Sequence, residues 1–137
     1  MPVIELDMLI AYTNKKDRLH RIASRIFASI SEGKLEGVYA ASSAYVEYEL
    51  VSRSMGVPAI QIARELQSFQ FFPTLQEHTL SLSIILNASI LRDQYGLTFF
   101  DSLHAATALA NDGSIISVDK AYDNVEGLTR IEPSSLS

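Results

Sequence analysis

The chain alternates short apolar runs with longer segments in which apolar residues recur every three or four positions. The short runs are typical of buried strands, and the longer segments are typical of helices that pack one face against a sheet. The predicted strands cover residues 3–6, 37–41, 113–118 and 127–133, with a weaker strand at 71–75. The predicted helices cover residues 14–30, 44–54, 59–69, 77–95 and 97–109. Strands that alternate with helices predict a three-layer α/β/α domain around a central, mainly parallel sheet of about five strands.

The composition indicates one compact domain. Of the 137 residues, 47% are hydrophobic, which is enough to build a core within a single domain at 1–133. The serine-rich residues 134–137 are expected to fray. Apolar residues surround much of the predicted helix at 77–95, so we expect that helix to be largely buried. A hydrophobic dimer patch on this helix would give the same sequence pattern.

Composition also bounds where the protein works and what it binds. The absence of cysteine excludes disulfides and thiolate metal sites, and it favours a reducing compartment such as the cytoplasm. No apolar run approaches the about 20 residues that cross a bilayer, and the first residues do not resemble a signal peptide, so we expect no membrane association. The formal net charge of −5 argues against a surface that grips nucleic acid everywhere. It is compatible with an acidic metal site flanked by basic residues on one face.

One carboxylate, Asp101, stands in an otherwise apolar helical segment of small side chains. Phe100, Leu103 and Ala106 follow the spacing of a tightly packed face, and Asp101 lies on the stripe beside it. An acid beside a core, with room in front of it, is a candidate metal or catalytic residue. The competing interpretation is a capping box, in which Asp101 bonds back to Thr98 at the start of the helix.

Two of the predicted strands end at an acid. Asp7 follows the first strand, and Asp119 follows the strand at 113–118. Because ligands in open parallel sheets bind beyond the carboxyl ends of the strands, both acids are expected at the same rim. Either one alone could be an ordinary turn residue. Together with Asp101 and Glu47, which lie near the starts of helices that reach this rim, they favour a shared site.

The fourth acid is chosen between two glutamates of the helix at 44–54. Glu47 lies at the edge of the face that should pack inward, whereas Glu49 is expected to be exposed and could pair with Arg53. We therefore choose Glu47.

Four carboxylates at one rim repel one another, and they cannot all stay ionised without a cation. Oxygen ligands of this kind suit a hard divalent ion such as Mg²⁺ or Mn²⁺. Such acidic metal sites hydrolyse phosphodiester bonds. The pattern therefore predicts a metal-dependent hydrolase that acts on nucleic acid.

The basic residues concentrate on one face of the predicted helix at 14–30. Arg18, Arg21 and Arg25 share this face, and Lys15 and Lys16 precede it. A charged helix face is usually just a solvated surface, but this one could contact the phosphates of a nucleic acid.

The order of these motifs resembles the PIN domain (PilT N-terminus) family, a nuclease fold that includes the VapC-type toxins of toxin–antitoxin pairs. The resemblance covers nearly the whole chain. Its most specific parts are residues 95–109, 115–122 and 125–128, and its less specific parts are residues 3–7 and 42–50.

The resemblance implies an acidic site made of Asp7, Glu47 (or Glu49), Asp101 and Asp119, with Ser117 as the accompanying hydroxyl. We assign Ser117, like Arg18, Arg21 and Arg25, to substrate binding. It further implies Mg²⁺- or Mn²⁺-dependent endoribonuclease activity, frequent homodimers and, in VapC-like members, inhibition by a small antitoxin protein.

On this basis each acid receives a role. We expect Asp7, Asp101 and Asp119 to bind the metal, and Glu47 to complete the ligand shell or to act as the base that orients water. Single-stranded or looped RNA is the expected substrate because its phosphates and bases are accessible. Neither His104 nor His20 is assigned a role in this site.

The chain departs from the family pattern after Asp7, where Met8 and Leu9 replace the usual hydroxyl and amide residues. This departure supports an alternative, in which the protein is a catalytically degenerate PIN-like module that binds RNA or protein. A flavodoxin- or receiver-like phosphate-binding domain ranks lower, because no Gly-rich or Ser/Thr-rich loop follows the first strand. Toxin and housekeeping nuclease remain open alternatives within the enzyme interpretation.

Overall fold

A computed structural model of the protein describes residues 2–137, so the first residue of the predicted domain at 1–133 lies outside the described part. The strands are β1 (Val3–Ile4), β2 (Tyr39–Ala41), β3 (Gln76–His78), β4 (Ser114–Ile116) and β5 (Thr129–Ile131). The α-helices are α1 (Leu6–Thr13), α2 (His20–Ser31), α3 (Ser42–Ser54), α4 (Ala59–Ser68), α5 (Leu82–Tyr95) and α6 (Phe99–Ala110). Short 3-10 helices lie at Phe69–Phe71, Lys120–Asn124 and Pro133–Ser135.

The strands of residues 2–137 form one five-stranded sheet in which every pairing is parallel and the order is β3-β2-β1-β4-β5. The chain moves outward from β1 to β3 and then returns through α5 and α6 to β4, on the other side of β1. Because parallel crossovers are right-handed, this reversal distributes the helices over both faces of the sheet. The predicted three-layer α/β/α fold is confirmed. The strand order reverses between β1 and β4, so a binding crevice is expected at their carboxyl ends.

The core lies around the central strand, which is buried on both faces, as is usual in parallel sheets. Val3 and Ile4 of β1 and Ile115 and Ile116 of β4 are fully buried. The buried sheet therefore fixes the positions of the residues that follow the carboxyl ends of β1 and β4.

The first strand is shorter than predicted. β1 ends at Ile4, and Glu5 takes the N-cap position of α1, where its carboxylate accepts a hydrogen bond from the backbone N–H of Asp7 at 3.3 Å. Asp7 therefore lies in the first turn of a helix and not at the end of the strand. The sequence pattern did not reveal the transition from strand to helix at Glu5, because α1 is buried on several sides and has no polar face.

The predicted helix at 14–30 is also shorter than expected, because α2 begins only at His20. Residues 14–19 form turns between α1 and α2, because the side chains of Asn14 and Asp17 accept hydrogen bonds from the backbone N–H groups of Lys16 and Leu19. Side chains that bond two residues ahead favour turns over helix.

The weak strand predicted at 71–75 lies further along the chain, as β3 at the edge of the sheet. The residues Phe69–Phe71 form a 3-10 helix instead.

The expectation that the helix before Gly96 is largely buried is wrong. Ile84, Ala88 and Leu91 of α5 face the protein, whereas Leu82, Ile85, Leu86 and Ile90 are 44% to 76% exposed. The next helix, α6, is the opposite case, because every residue from 102 to 108 is buried. In the described part of the chain, no helix is both long and apolar enough to cross a membrane.

Candidate active site

Five acidic residues gather near the carboxyl ends of β1 and β4, where the strand order reverses. They come from four segments: the start of α1, the second turn of α3, the start of α6 and the turn after β4. These residues are Glu5, Asp7, Glu47, Asp101 and Asp119. Four of them were predicted from the sequence, and Glu5 was missed.

Glu5 is the most deeply buried of the five, with 6% of its surface exposed. Burial raises the pKa of Glu5 well above its usual value, and the nearby carboxylates of Asp7, Asp101 and Glu47 raise it further. Carboxylate and imidazole atoms of Glu5, Asp101 and His104 approach to within 4.8 Å of one another. One feature of the sequence could have identified Glu5: it is the single acid within the apolar run at 3–6, and a buried strand does not explain an acid there.

Asp7 ties the start of α1 to the segment after β4. Its Oδ2 accepts hydrogen bonds from the hydroxyl of Ser117 at 2.7 Å and from the backbone N–H of Val118 at 2.9 Å. Burial raises the pKa of Asp7, and these hydrogen bonds act in the opposite direction. Its Oδ1 is buried and has no hydrogen-bond partner among residues 2–137, which makes it the one such side-chain atom there. A buried oxygen without a donor indicates a place for a cation or another ligand.

Ser117, the hydroxyl implied by the family resemblance, is fully buried between these acids. Besides its bond to Asp7, its Oγ lies 3.3 Å from a carboxylate oxygen of Glu5 and accepts the backbone N–H of Asp119 at 3.0 Å. Ser117 therefore links three acids of the cluster from a buried position, and its assignment to substrate binding stays a prediction.

Asp101 combines both roles that the sequence left open. Its backbone N–H donates to the hydroxyl of Thr98, the N-cap of α6, at 3.3 Å. Its carboxylate faces the cluster, where Oδ1 accepts a hydrogen bond from the hydroxyl of Tyr122 at 3.3 Å. Burial raises the pKa of Asp101, and the carboxylates of Asp119 and Glu47 add to the rise. A residue in the first turn of a helix can thus belong to a cap motif and to a site.

Glu47, and not Glu49, turns toward the cluster. Its Oε1 lies 2.7 Å from the Nε2 of His104, and its side chain is only 19% exposed. Glu49 lies on the solvent side of α3. His104 itself is fully buried and lies 3.7 Å from Glu5, so the sequence also missed a histidine in contact with two acids.

Asp119 caps the 3-10 helix Lys120–Asn124 by accepting the backbone N–H of Ala121 at 2.9 Å. Its charge is close enough to raise the pKa of Asp101 and that of the buried Tyr122 hydroxyl. Asp119 therefore stands at the outer side of the cluster, with one oxygen engaged in a turn.

The residues present fit a hard divalent cation. Oxygen atoms dominate the set, and one buried carboxylate oxygen has no donor. Burial raises the pKa of Glu5, Asp7 and Asp101, and repulsion from neighbouring carboxylates adds to the rise for Glu5 and Asp101. A cation would relieve both the repulsion and the unsatisfied oxygen.

The predicted basic face stands apart from the cluster. Arg18 lies in the turns before α2, and only Arg21 and Arg25 lie on that helix, one turn apart, so the predicted helix face is shared by two of the three. All three side chains are exposed, and in the described part of the chain none of them makes a hydrogen bond or ion pair. The structure therefore gives them no contact with the five acids.

The chain was compared with protein families, curated proteins and solved structures. The family model of the PIN domain matches residues 7–128. No sequence among the curated proteins matches the chain.

Solved structures of three proteins share the fold. A chain of a toxin–antitoxin complex from Klebsiella pneumoniae has a TM-score of 0.67 and 16% identity, over 97% of this chain and 98% of that chain. VapC20 of Mycobacterium tuberculosis, a sarcin–ricin loop cleaving toxin, has a TM-score of 0.68 and 17% identity, over 88% and 91% of the two chains. VapBC2 from Rickettsia felis, bound to a DNA fragment from its promoter, has a TM-score of 0.69 and 15% identity, over 94% and 96%.

Proposed function

Because the chain belongs to the PIN domain family, we propose that it is a metal-dependent endoribonuclease, the toxin of a toxin–antitoxin pair. The observation that carries this proposal is the convergence of Glu5, Asp7, Glu47, Asp101 and Asp119 at the carboxyl ends of β1 and β4. Buried carboxylates with raised pKa are costly in a fold unless they serve a ligand. A divalent ion with a phosphodiester substrate is the ligand that suits them best.

The proposed metal ligands are Asp7, Asp101 and Asp119, with Glu5 added on the basis of the structure. Mg²⁺ or Mn²⁺, when bound there, would lower the pKa of a water molecule and neutralise charge on the phosphate. Ser117 and the N–H of Val118 hold Asp7 in place, and Tyr122 does the same for Asp101. These bonds keep the acids in position before substrate arrives, so that little reorganisation is needed during the reaction.

Glu47 is proposed to complete the ligand shell of the metal, either directly or through the attacking water that it orients or deprotonates. Its side chain is partly exposed to solvent, and only its Oε1 is engaged by His104. Its Oε2 has no hydrogen bond within residues 2–137 and is free to accept one from water.

Cleavage of RNA by the purified protein, with Mn²⁺ or Mg²⁺ and with a chelator, tests the proposal. We expect cleavage only with metal, and its loss in Asp101→Asn prepared in parallel. Because water is the nucleophile, the products should carry linear phosphates. A 2′,3′-cyclic phosphate end would instead indicate attack by the RNA 2′-hydroxyl, and would contradict this chemistry.

RNA is proposed to reach the site over the basic face of Arg18, Arg21 and Arg25. These three side chains are exposed and unpaired within the described chain, so they are available for phosphate contacts. Their proposed role is to increase affinity without reading sequence.

A small antitoxin is the proposed protein partner, and the cytoplasm is the proposed compartment. The support is the fold shared with toxins and toxin–antitoxin complexes. Co-expression with the protein of the adjacent small reading frame tests this partner. We expect a stable complex in which metal-dependent cleavage is suppressed, and a failure to form any complex would favour a housekeeping nuclease.

The proposed homodimer surface is the apolar face of α5, formed by Leu82, Ile85, Leu86 and Ile90. These side chains are 44% to 76% exposed, and Val46 and Phe99 continue the surface with 52% and 58%. An apolar groove of about 210 Å³ runs between α3, α5 and α6 beside this face. A contiguous apolar surface of this kind usually marks a protein interface.

One observation favours the alternative of a catalytically degenerate binding module. Met8 and Leu9, which follow Asp7, are fully buried, and their side chains cannot donate hydrogen bonds to the acids. Binding of Mn²⁺ or RNA without any cleavage, under conditions in which the protein is folded, would support this alternative.

A further inference from the structure

A buried histidine connects two of the acidic residues. His104 lies in the second turn of α6 and is fully buried. Its Nε2 is 2.7 Å from Oε1 of Glu47 and 3.7 Å from Oε1 of Glu5, and its Nδ1 is 2.9 Å from the hydroxyl oxygen of Ser43. The ring also stacks on Phe100, with 6.3 Å between ring centroids and 27° between the planes.

These contacts hold the imidazole in one orientation. A carboxylate oxygen carries no hydrogen, so Nε2 must donate the hydrogen bond to Glu47, which assigns the proton on this nitrogen. Ser43 is engaged on the opposite side of the ring, and Phe100 covers one of its faces. Both ring nitrogens are thus used within the protein.

Glu47 needs such a partner more than the other acids do. Asp7 is held by Ser117 and Val118, and Asp101 is held by Tyr122. Within residues 2–137, the hydrogen bond from His104 is the one that fixes the carboxylate of Glu47. A glutamate side chain has three rotatable bonds, so without this donor its carboxylate would sample several positions.

We propose that His104 is a positioning residue, held by Ser43, which orients the carboxylate of Glu47 in the acidic site. The Nε2–H engages Oε1 of Glu47 and leaves Oε2 for the site. This inference rests on the proposed metal-dependent function, and it adds a Ser43–His104–Glu47 chain of hydrogen bonds to it. Hydrogen bonds of this type behind metal-binding or catalytic carboxylates typically contribute tenfold or more to affinity or activity.

The test compares four variants of the full chain by Mn²⁺ titration in a calorimeter, with thermal unfolding of the metal-free protein measured in parallel. His104→Leu removes the donor to Glu47, and we expect its Mn²⁺ affinity to fall by about 10- to 100-fold. His104→Gln places an amide N–H at a similar distance along the side chain, so it should restore most of this affinity. Ser43→Ala keeps the ring but removes its other partner, and should cause a smaller decrease in the same direction.

Thr107→Val is the matched control. Thr107 is buried in the same helix, and its hydroxyl donates to the backbone carbonyl of Leu103 at 2.8 Å, without contact to the acids. We expect this variant to change thermal stability but to leave Mn²⁺ affinity at the wild-type value. A purely structural role of His104 would give the same pattern for His104→Leu, and that result would overturn the inference.

Pulsed electron paramagnetic resonance of the Mn²⁺-loaded protein separates positioning from direct ligation. Because both ring nitrogens are engaged by protein groups, we expect no nitrogen coupling from His104. A nitrogen coupling that disappears in His104→Gln would make His104 a ligand and would overturn the positioning role. If the wild type binds no Mn²⁺, the proposed function fails and this inference fails with it, whereas equal affinity in wild type and His104→Leu overturns the inference alone.

Discussion

The consecutive helices α5 and α6 are both rich in apolar residues, yet α6 is buried and α5 exposes much of its apolar surface. α6 is buried on all sides from residue 102 to residue 108 and includes polar residues in that environment. α5 exposes Leu82, Ile85, Leu86 and Ile90 to solvent. The two helices are tied together by Arg92, which donates to Ser102 at 2.7 Å and lies over the ring of Phe99.

Both helices depart from what stability alone would favour. Buried carboxylates and imidazoles are unfavourable unless they are paired or bind a ligand, and exposed large apolar side chains are unfavourable unless they are covered by a partner. The departure of α6 points inward to an acidic site, and that of α5 points outward to an interface. Comparison of the two therefore supports both proposals, an active site at the acidic cluster beside α6 and a homodimer surface on α5.

The largest expected effect comes from removing the acid at the start of α6. Asp101→Asn should reduce metal-dependent cleavage by about 100-fold or more, because one preorganised charge at the reacting centre is removed. The backbone bond from residue 101 to Thr98 remains, so the helix cap should be preserved. Single-turnover cleavage with Mn²⁺ measures the effect, and wild-type rates in this variant would exclude Asp101 from the site.

The next effect concerns the outward face of α5. Leu86→Lys should shift the proposed dimer to monomer without unfolding the chain, since Leu86 is 55% exposed. Asn87→Lys, on an exposed part of the same helix outside the apolar face, is the matched control and should leave assembly unchanged. Analytical ultracentrifugation reads both variants, and an unchanged mass for Leu86→Lys would remove α5 from the interface.

The buried acids also predict how stability of the metal-free protein depends on pH. Burial raises the pKa of Glu5 and Asp101, so between the ordinary and the raised pKa values the folded protein holds protons that the unfolded chain has released. The free energy of unfolding should therefore fall as pH rises through that range. Above it, both carboxyls are ionised in the folded protein, and the full destabilisation from these buried charges is present.

Thermal unfolding between about pH 5 and pH 8 in the presence of a chelator measures this trend. The wild type should be more stable at the acidic end, and Asp101→Asn should show a shallower slope because one of the groups no longer titrates. Addition of Mn²⁺ at neutral pH should raise the stability of the wild type, by RT ln(1 + [L]/Kd). Identical slopes in both proteins would show that the carboxylate of Asp101 carries no such penalty.

Removal of the hydroxyl between the acids should have a moderate effect on stability. Ser117→Ala deprives Asp7 of a hydrogen bond of 2.7 Å at a buried carboxylate, which should lower the free energy of unfolding by about 1–3 kcal/mol. Urea unfolding of wild type and variant provides the measurement. No decrease in stability would mean that Asp7 is held adequately by Val118 alone.

The smallest effect is expected at the basic face. Replacing Arg18, Arg21 and Arg25 by Gln should weaken RNA binding in low salt. The slope of log affinity against log salt concentration should become shallower by about 0.7 for each phosphate that the protein no longer neutralises, the value for single-stranded nucleic acid. The measurement uses the Asp101→Asn background, so that the RNA is not cleaved. An unchanged salt slope would leave this face as a solvated surface.

Periodicity was sufficient for the parallel three-layer fold and for the order of the elements other than α1, because strands and helices have different repeats and the crossovers follow a fixed hand. It also pointed to Asp7, Glu47, Asp101 and Asp119, since an acid at the end of a strand or the edge of an inward helix face departs visibly from its surroundings. It did not find the boundary between β1 and α1, because an apolar run buried on all sides has no period that distinguishes strand from helix.

Only the tertiary structure decided the rest. It showed that Glu5 ends β1 and joins the cluster, and that His104 reaches across from α6 to Glu47 on α3, because contacts between residues 57 positions apart depend on how helices pack. It also separated α5 from α6, whose compositions look alike in the sequence. An apolar side chain is more stable when it is buried, but the sequence does not say whether its own chain or a partner buries it. The packing of the helices decides this.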